Sequence, residues 1–532
     1  MKILFVTRHA GFVRNFESAL RMLSERGHRV HVGFVTTERH WMPDSTDLTQ
    51  RLEAECPTLS FGMVPRREDG WGALGAALRA SSDYLRYLTP TYRSAPKLRE
   101  RAAEDVLPSV IRLTRGPFAA APGRALVGAT VRFLERCIPV SEEIDRFVAG
   151  QQPDLLVFSP LIEPGTPQME YVRAGRARGI RIVLCVGSWD NLTNKGRIHG
   201  PMDLVTVWNE EMKREAVELH GVPPERVVVT GAQLFDHWFA WKPSGSRDEF
   251  CARVGLMPDR PYLLYLCSSR FIAPDEQSFI RKWVQQLRDS SSPALRSAGV
   301  LVRPHPQHEY QWRSFDARGI ENFAVYPQGG AMPIDDSSKA DYFDSIYHSA
   351  AVVGVNTTAQ IESAIVGRRV HTILAPEFRD TQEGTLHFHH LVRAGGGLVH
   401  VAINFTDHLA QLDAALRDGA GDDERCRRFV EAFVRPYGVD VAAMPKLVEA
   451  IESVMTRPTV AGSSTPAIAG LVRPLLKGKG EELRREAELW RKEKKVQMTL
   501  RRLERKEQLK QQRKALARQA REAAAKQAEG NS

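Results

Sequence analysis

The sequence predicts an α/β protein with two doubly wound, Rossmann-like domains facing a cleft, followed by a long basic helix. Three observations carry this expectation. Strand-type and helix-type segments alternate in two successive series, the strand-type segments are continuous apolar runs, and a Pro- and Gly-containing break, Trp241–Ser246, separates the series. With 532 residues, 42% of them hydrophobic, the chain can fill two cores. A charged fraction of 26% is that of an ordinary globular protein and excludes wholesale disorder.

The net charge of +10 is unevenly placed. Residues 477–532 hold 18 Lys+Arg and 9 Asp+Glu, which leaves 56 basic and 55 acidic groups in the preceding 476 residues. Basicity therefore belongs to the tail, and the body gives no reason to expect nucleic acid as a partner. No stretch reaches the roughly 18 uncharged apolar residues of a membrane span. The opening Met1–His9 has an apolar run of about five, the length of a buried strand rather than of a signal-peptide core. Six scattered cysteines (56, 137, 185, 251, 267 and 426) without a Cys-x-x-Cys pair suit free thiols in a reducing cytosol.

Taken in order, Ile3–Val6 is the first strand, a helix follows through Phe16, Ala19, Leu20 and Leu23, and His28–Val35 is the second strand. Residues from about 65 to 143 read as an insertion of short helices, with prolines at 90, 96, 108, 117, 122 and 139. Strands return at 154–158, 180–186, 204–208 and 226–230, with a helix Glu210–His220 closed by Gly221. The second series comprises strands at 262–266, 299–303, 323–326, 351–355, 370–374 and 398–401. The expected domains are 1–240 and 247–455, then a linker over 456–480 and a basic helix over 481–528. That helix keeps Leu489, Val496 and Leu503 in heptad spacing but breaks the seam at Lys510, and Trp490 is its single aromatic residue.

Ligands of doubly wound folds bind beyond the carboxyl ends of the strands, so the residues following each strand are the candidates. After 351–355, Asn356, Thr357 and Thr358 open a helix whose N–H groups and dipole favour an anion, although a threonine there also serves as an ordinary N-cap. Glu362, one turn further, is placed to accept ribose hydroxyls. After 299–302, Arg303 offers a planar fork for phosphate, and His305 is presented between Pro304 and Pro306. After 262–266, Ser268, Ser269 and Arg270 add two hydroxyls and a guanidinium. Three neighbouring strand ends of this kind predict a nucleotide diphosphate pocket.

The loop Arg303-Pro-His-Pro306, followed some 50 residues later by Asn356-Thr-Thr-x-x-x-Glu362, resembles the donor half of GT-B glycosyltransferases. It is most similar to the capsule-polysaccharide and CDP-glycerol polymerase-like branch from bacteria. The resemblance extends over 1–35, 210–236 and 301–391. It implies that His305-Pro306 and Thr357-Thr358 hold the nucleotide and its phosphates, that Glu362 binds the ribose, and that His9 after the first strand is the general base. Asp190 orients His9 or is the base itself. Arg8, Arg14, Asn15, Trp189 and Asn191 form the acceptor surface, with Trp189 offering a face to a sugar ring. The long loop 376–390 supplies Asp380, Gln382, Thr385 and His387 for the donor sugar. A metal held by His387, His389 and His390 is the lesser alternative.

No two aspartates stand two residues apart and no Walker, Gly-x-Ser-x-Gly or His-Glu-x-x-His motif occurs. The expectation is thus a glycosyltransferase, in the cytoplasm or at the inner face of a membrane, that works without cofactor or metal. It takes a nucleotide-activated sugar and a glycan or lipid-linked acceptor, and its basic helix suits peripheral contact with an anionic membrane. Two other readings fit: a nucleotide-sugar epimerase of related fold, and a non-catalytic scaffold whose basic tail binds a membrane or partner.

Overall fold

The computed structural model describes residues 1–36, 46–308, 311–312, 315–317, 319–330, 332–333, 335–419, 424–462 and 465–489. Seven strands form the first sheet: β1 (Lys2–Thr7), β2 (Arg29–Phe34), β3 (Leu59–Met63), β4 (Leu155–Ser159), β5 (Arg181–Cys185), β6 (Leu204–Val207) and β7 (Val227–Val229). Six form the second: β8 (Tyr262–Leu266), β9 (Gly299–Arg303), β10 (Phe323–Val325), β11 (Ala351–Gly354), β12 (Val370–Ile373) and β13 (His400–Ala402). Their orders are β3-β2-β1-β4-β5-β6-β7 and β10-β9-β8-β11-β12-β13, and every pairing is parallel. In each sheet the order reverses beside the first strand of its series, which opens a crevice at the carboxyl ends.

Parallel strands are covered on both faces, so they read as unbroken apolar runs; Tyr262-Leu-Leu-Tyr-Leu266 is buried at all five positions. β3 escaped the sequence reading because it is an edge strand with only Leu59 buried. In the insertion, prolines that look like breakers open helices: Pro96 begins Pro96–Ala102 and Pro108 begins Pro108–Arg115, where the missing N–H costs nothing. The insertion also contains two long helices, Gly70–Tyr87 and Ala121–Cys137. Asn209 caps Glu210–His220 by accepting the Met212 N–H at 2.9 Å, and Gly221 ends it at φ 71°.

The chain does not stay with the second sheet through residue 455. Helix Ala443–Ser453 returns to the first, placing Leu447, Val448 and Ile451 in one core with Ile3, Phe5, Val30, Leu155 and Val157. Each such fully buried side chain contributes about 1.5–3 kcal/mol. Asp236 anchors the return, accepting N–H groups of Ala443 (3.0 Å) and Met444 (2.7 Å) and pairing with Arg435 at 2.8 Å. All six cysteines are buried thiols outside any disulfide.

Over the described residues the chain divides into two compact units, one drawn from 1–67 and 76–466, the other from 68–75 and 467–489. In the second unit, residues 469–489 are helical, so helix begins inside the expected 456–480 linker. The basic segment beyond 489 lies outside the described residues. No described helix is long and apolar enough to cross a membrane.

Candidate functional site

The carboxyl ends of both sheets and part of the insertion enclose one cavity of about 610 Å³. From the first sheet come Arg8 after β1, Glu163 after β4, and Ser188, Trp189, Asp190, Asn194 and Lys195 after β5. From the second come Ser269 after β8, His305 and Gln307 after β9, Asn356, Thr357 and Thr358 after β11, and His387. The insertion adds a wall including Tyr87, Arg101, Glu104 and Asp105.

Buried polar side chains fix these loops. Gln168 donates to the carbonyls of Val6 (2.9 Å) and Ser159 (3.1 Å), pinning the ends of β1 and β4. Glu276 accepts the Ser268 N–H at 2.9 Å and the Tyr265 hydroxyl at 3.3 Å, while the Ser268 hydroxyl accepts the Asn356 N–H at 3.3 Å. Burial pushes the Glu276 carboxyl up to about 8, against the pull of its hydrogen bonds from Ser268 and Tyr265. Asn356 donates to Thr385 Oγ1 at 3.1 Å. Its Oδ1 has no partner among the described residues, and neither has Oδ1 of Asn194; the two residues are 3% and 4% exposed. Each leaves a buried, unmet acceptor in a residue of the cavity wall.

Thr357 caps the helix Thr358–Ile365, its own N–H donating to Gln360 Oε1 at 3.1 Å. It is therefore both the ordinary cap and a cavity residue. Thr358 Oγ1 accepts the Trp189 indole N–H at 3.0 Å, a direct bond between the two halves. Asp190 bonds Ser188 Oγ at 2.7 Å and stands 3.8 Å from Lys195 Nζ. Burial alone would raise its carboxyl, but Lys195, His387, the Ser188 hydroxyl and Arg101 together hold it below the usual range. His387, 5% exposed, lies beside Asn194 and edge-on to Trp189 (centroids 4.7 Å apart); burial lowers it to about 3, so it is neutral.

Of the sequence candidates, Arg8, Trp189, Asp190, Ser269, His305, Asn356, Thr357, Thr358 and His387 meet in this cavity. The others take different places. Arg303 turns to the helix Asp336–Tyr347, donating to Ser345 Oγ at 2.6 Å and the Asp341 carbonyl at 3.2 Å, its guanidinium 5.0 Å from the Tyr342 ring centroid. Burying so strong a donor demands such partners, so its fork is occupied. Ser268 is spent on Glu276 and Asn356, and Arg270 is exposed outside the lining. Glu362 accepts the Tyr342 hydroxyl, and burial raises it to about 7, offset by that bond and by Arg14.

Asp380 is exposed outside the lining. Gln382 donates to the Val355 carbonyl (3.0 Å) and Thr372 Oγ1 (2.9 Å), and Thr385 to the Gln382 carbonyl (2.8 Å), so both hold the loop together. His9 is 2% exposed, packed edge-on against Phe12 outside the lining, which removes it from the position of a base facing the cleft. Trp189, 3% exposed, offers no open ring face. Arg14 approaches Met332 Sδ at 3.6 Å, the Asn15 carbonyl accepts from Gln233 at 3.3 Å, and Asn191 donates to Asp190 at 3.4 Å; none lines the cavity. His390 Nε2 stands 2.8 Å from Glu215, and among the described residues no group of three His, Cys, Asp or Glu could hold a metal ion.

The cavity's fixed positive charge comes from Arg8, Arg101 and Lys195, all outside the second sheet, which contributes hydroxyls, a helix N-terminus and His305. A cationic cradle built by the carboxyl-terminal half alone is thus corrected. Arg101, unmarked by any motif, lies 4.2 Å from the Phe271 ring centroid and donates to the Asn194 carbonyl. Lys195, Asn194 and Glu163 were likewise missed, although the first two stand in a polar strand-end loop.

Two all-parallel sheets with their carboxyl ends turned toward one cavity make a fold of the GT-B type. No protein-family model and no curated protein matches the chain. Among solved structures, a glycosyltransferase from Rickettsia africae ESF-5 aligns with TM-score 0.48 and 9% identity over 86% of this chain and 99% of its own. A putative UDP-N-acetylglucosamine 2-epimerase from Listeria monocytogenes gives 0.45 and 13% over 88% and 99%. UDP-GlcNAc 2-epimerase from Neisseria meningitidis bound to UDP-GlcNAc gives 0.44 and 10% over 85% and 100%.

Proposed function

We propose that this cavity transfers a sugar, or a polyol phosphate, from a nucleotide-activated donor to an acceptor hydroxyl, as in surface polysaccharide or glycolipid synthesis of the capsule type. The observation that carries the reading is that one cavity sets the ionised Asp190 of the first half together with the Thr357–Thr358 helix start and His305 of the second. Its volume suits a nucleotide sugar. In sugar transfer, Asp190 takes the acceptor hydroxyl proton as the oxygen attacks the anomeric carbon. The bond to the donor diphosphate breaks, and the leaving charge falls to the helix N-terminus, Arg8, Arg101 and Lys195. These residues supply the charge stabilisation with no metal in the scheme. Glu362 stays the ribose candidate only if Tyr342 yields it.

CDP-, UDP- and GDP-linked sugars screened by thermal shift test the donor. The matching ligand, saturating, should stabilise by about 2–4 kcal/mol, and Thr357→Val with His305→Ala should abolish the shift. No shift with any nucleotide sugar sinks the reading. A second reading, epimerisation of the donor, draws on the cavity's four carboxylates, Glu104, Asp105, Glu163 and Asp190, which could exchange a carbon-bound proton. Conversion of a nucleotide sugar with no acceptor present would select it.

A further inference from the structure

A second cavity of about 550 Å³ opens between the insertion and the helix Glu210–His220 and shares no lining residue with the first. Four guanidiniums line it, those of Arg86, Arg124, Arg132 and Arg197, against one carboxylate, the exposed Glu218. Leu85, Pro90 and Leu219 give it an apolar wall. So many like charges around one space are costly without a counter-charge.

The fold supplies part of it through Asp83, which acts on Arg86 and Arg197. Arg86, 4% exposed, donates to the Leu192 carbonyl at 3.0 Å, the Tyr87 hydroxyl at 3.2 Å and the Lys195 carbonyl, and stands 3.0 Å from His220 Nε2, so its fork is occupied within the fold. Asp83, the buried acid of the region, meets the Arg197 N–H (2.6 Å) and His199 (2.8 Å) at Oδ1, while its Oδ2 has no hydrogen-bond partner among the described residues. Burial, then repulsion from Arg86 and Arg132, pulls the Arg197 guanidinium below its ordinary range despite Asp83. The first turn of Ala121–Cys137, with Ala121, Arg124 and Ala125, also faces the space and adds the positive end of a 17-residue helix.

We propose that this second cavity binds a phosphate-bearing ligand, its phosphate on Arg124, Arg132 and Arg197 and its carbon chain on the Leu85–Leu219 wall. Guanidinium forks match phosphate oxygens in pairs, and Arg124, Arg132 and Arg197 supply them from two separate elements. Because Arg86 and the Tyr87 hydroxyl (2.7 Å to the Lys195 carbonyl) hold the loop that carries Asp190, an occupant would brace that loop. The assignment is independent of the transferase reading.

Calorimetric titration of the full chain with geranyl phosphate and, separately, inorganic pyrophosphate tests it. Arg124→Ala with Arg132→Ala should weaken whichever probe binds by at least about tenfold, while His305→Ala in the other cavity should leave it within about twofold. Retention of the loss with geranyl phosphate alone assigns a lipid-type phosphate, and with pyrophosphate also, a free anion. Arg197→Ala, at a half-buried position reached from a different loop, should repeat the loss with an unchanged far-ultraviolet spectrum. Absence of binding by both probes, or affinity unmoved in the double variant, overturns the proposal.

Discussion

Asp190→Asn is expected to lower kcat with the matching donor and acceptor by about 10²–10⁴-fold while leaving donor affinity nearly intact. The amide keeps the size and the bond from Ser188 but cannot take a proton. Since Lys195, His387, Ser188 and Arg101 outweigh burial and hold this carboxyl low, the acid limb of the native pH profile should lie below the ordinary carboxylate range. His9→Ala, by contrast, removes a buried ring packed on Phe12 and should act through stability, with kcat per folded molecule little changed. Stopped-assay kinetics from pH 4 to 9 on both variants make the comparison. A large kcat loss in His9→Ala with Asp190→Asn unaffected would reverse the assignment.

Glu276→Gln should make the protein more stable at alkaline pH. The sign follows from linkage. The folded carboxyl, pushed up to about 8 by burial, keeps a proton that the unfolded chain releases above its ordinary 4.5. Stability from this group is present at acid pH and is lost as pH rises from about 5 to 8, at about 1.4 kcal/mol per pH unit. The amide has nothing to ionise and still accepts the Ser268 N–H. Urea unfolding at pH 6 and 8.5 should show the native protein losing about 3 kcal/mol more than the variant between the two. Equal pH dependence of the two proteins would refute the account. Glu276→Ala should destabilise at every pH, because the Ser268 N–H and Tyr265 hydroxyl then lie buried and unpaired at about 1–3 kcal/mol each.

Both sheets were legible because their inner strands, such as Ile182–Cys185 and Val300–Val302, are unbroken apolar runs covered on each side. β3 was not, since an edge strand need not be apolar. The return of Ala443–Ser453 was hidden because an amphipathic stripe states that a helix is buried, not against which sheet. The site shows the same division. Strand ends announce where loops gather, so Asp190, His305 and Thr357–Thr358 could be found. A one-dimensional pattern carries no side-chain direction: Arg303 and His305 are two residues apart, yet one clasps Ser345 and the other faces the cavity. Arg101 could not be read at all, because only the packing of the insertion brings it to the strand ends.

The return of the chain has a mechanical consequence. The second sheet is joined to the first by two crossings, one through 241–246 and one through the segment before Ala443, and they touch where the Arg435 guanidinium lies 3.5 Å from the Phe239 ring centroid. The two crossings thus form one joint, which Asp236 ties by pairing with Arg435 and accepting the Ala443 and Met444 N–H groups, so removing that one carboxylate slackens both links together.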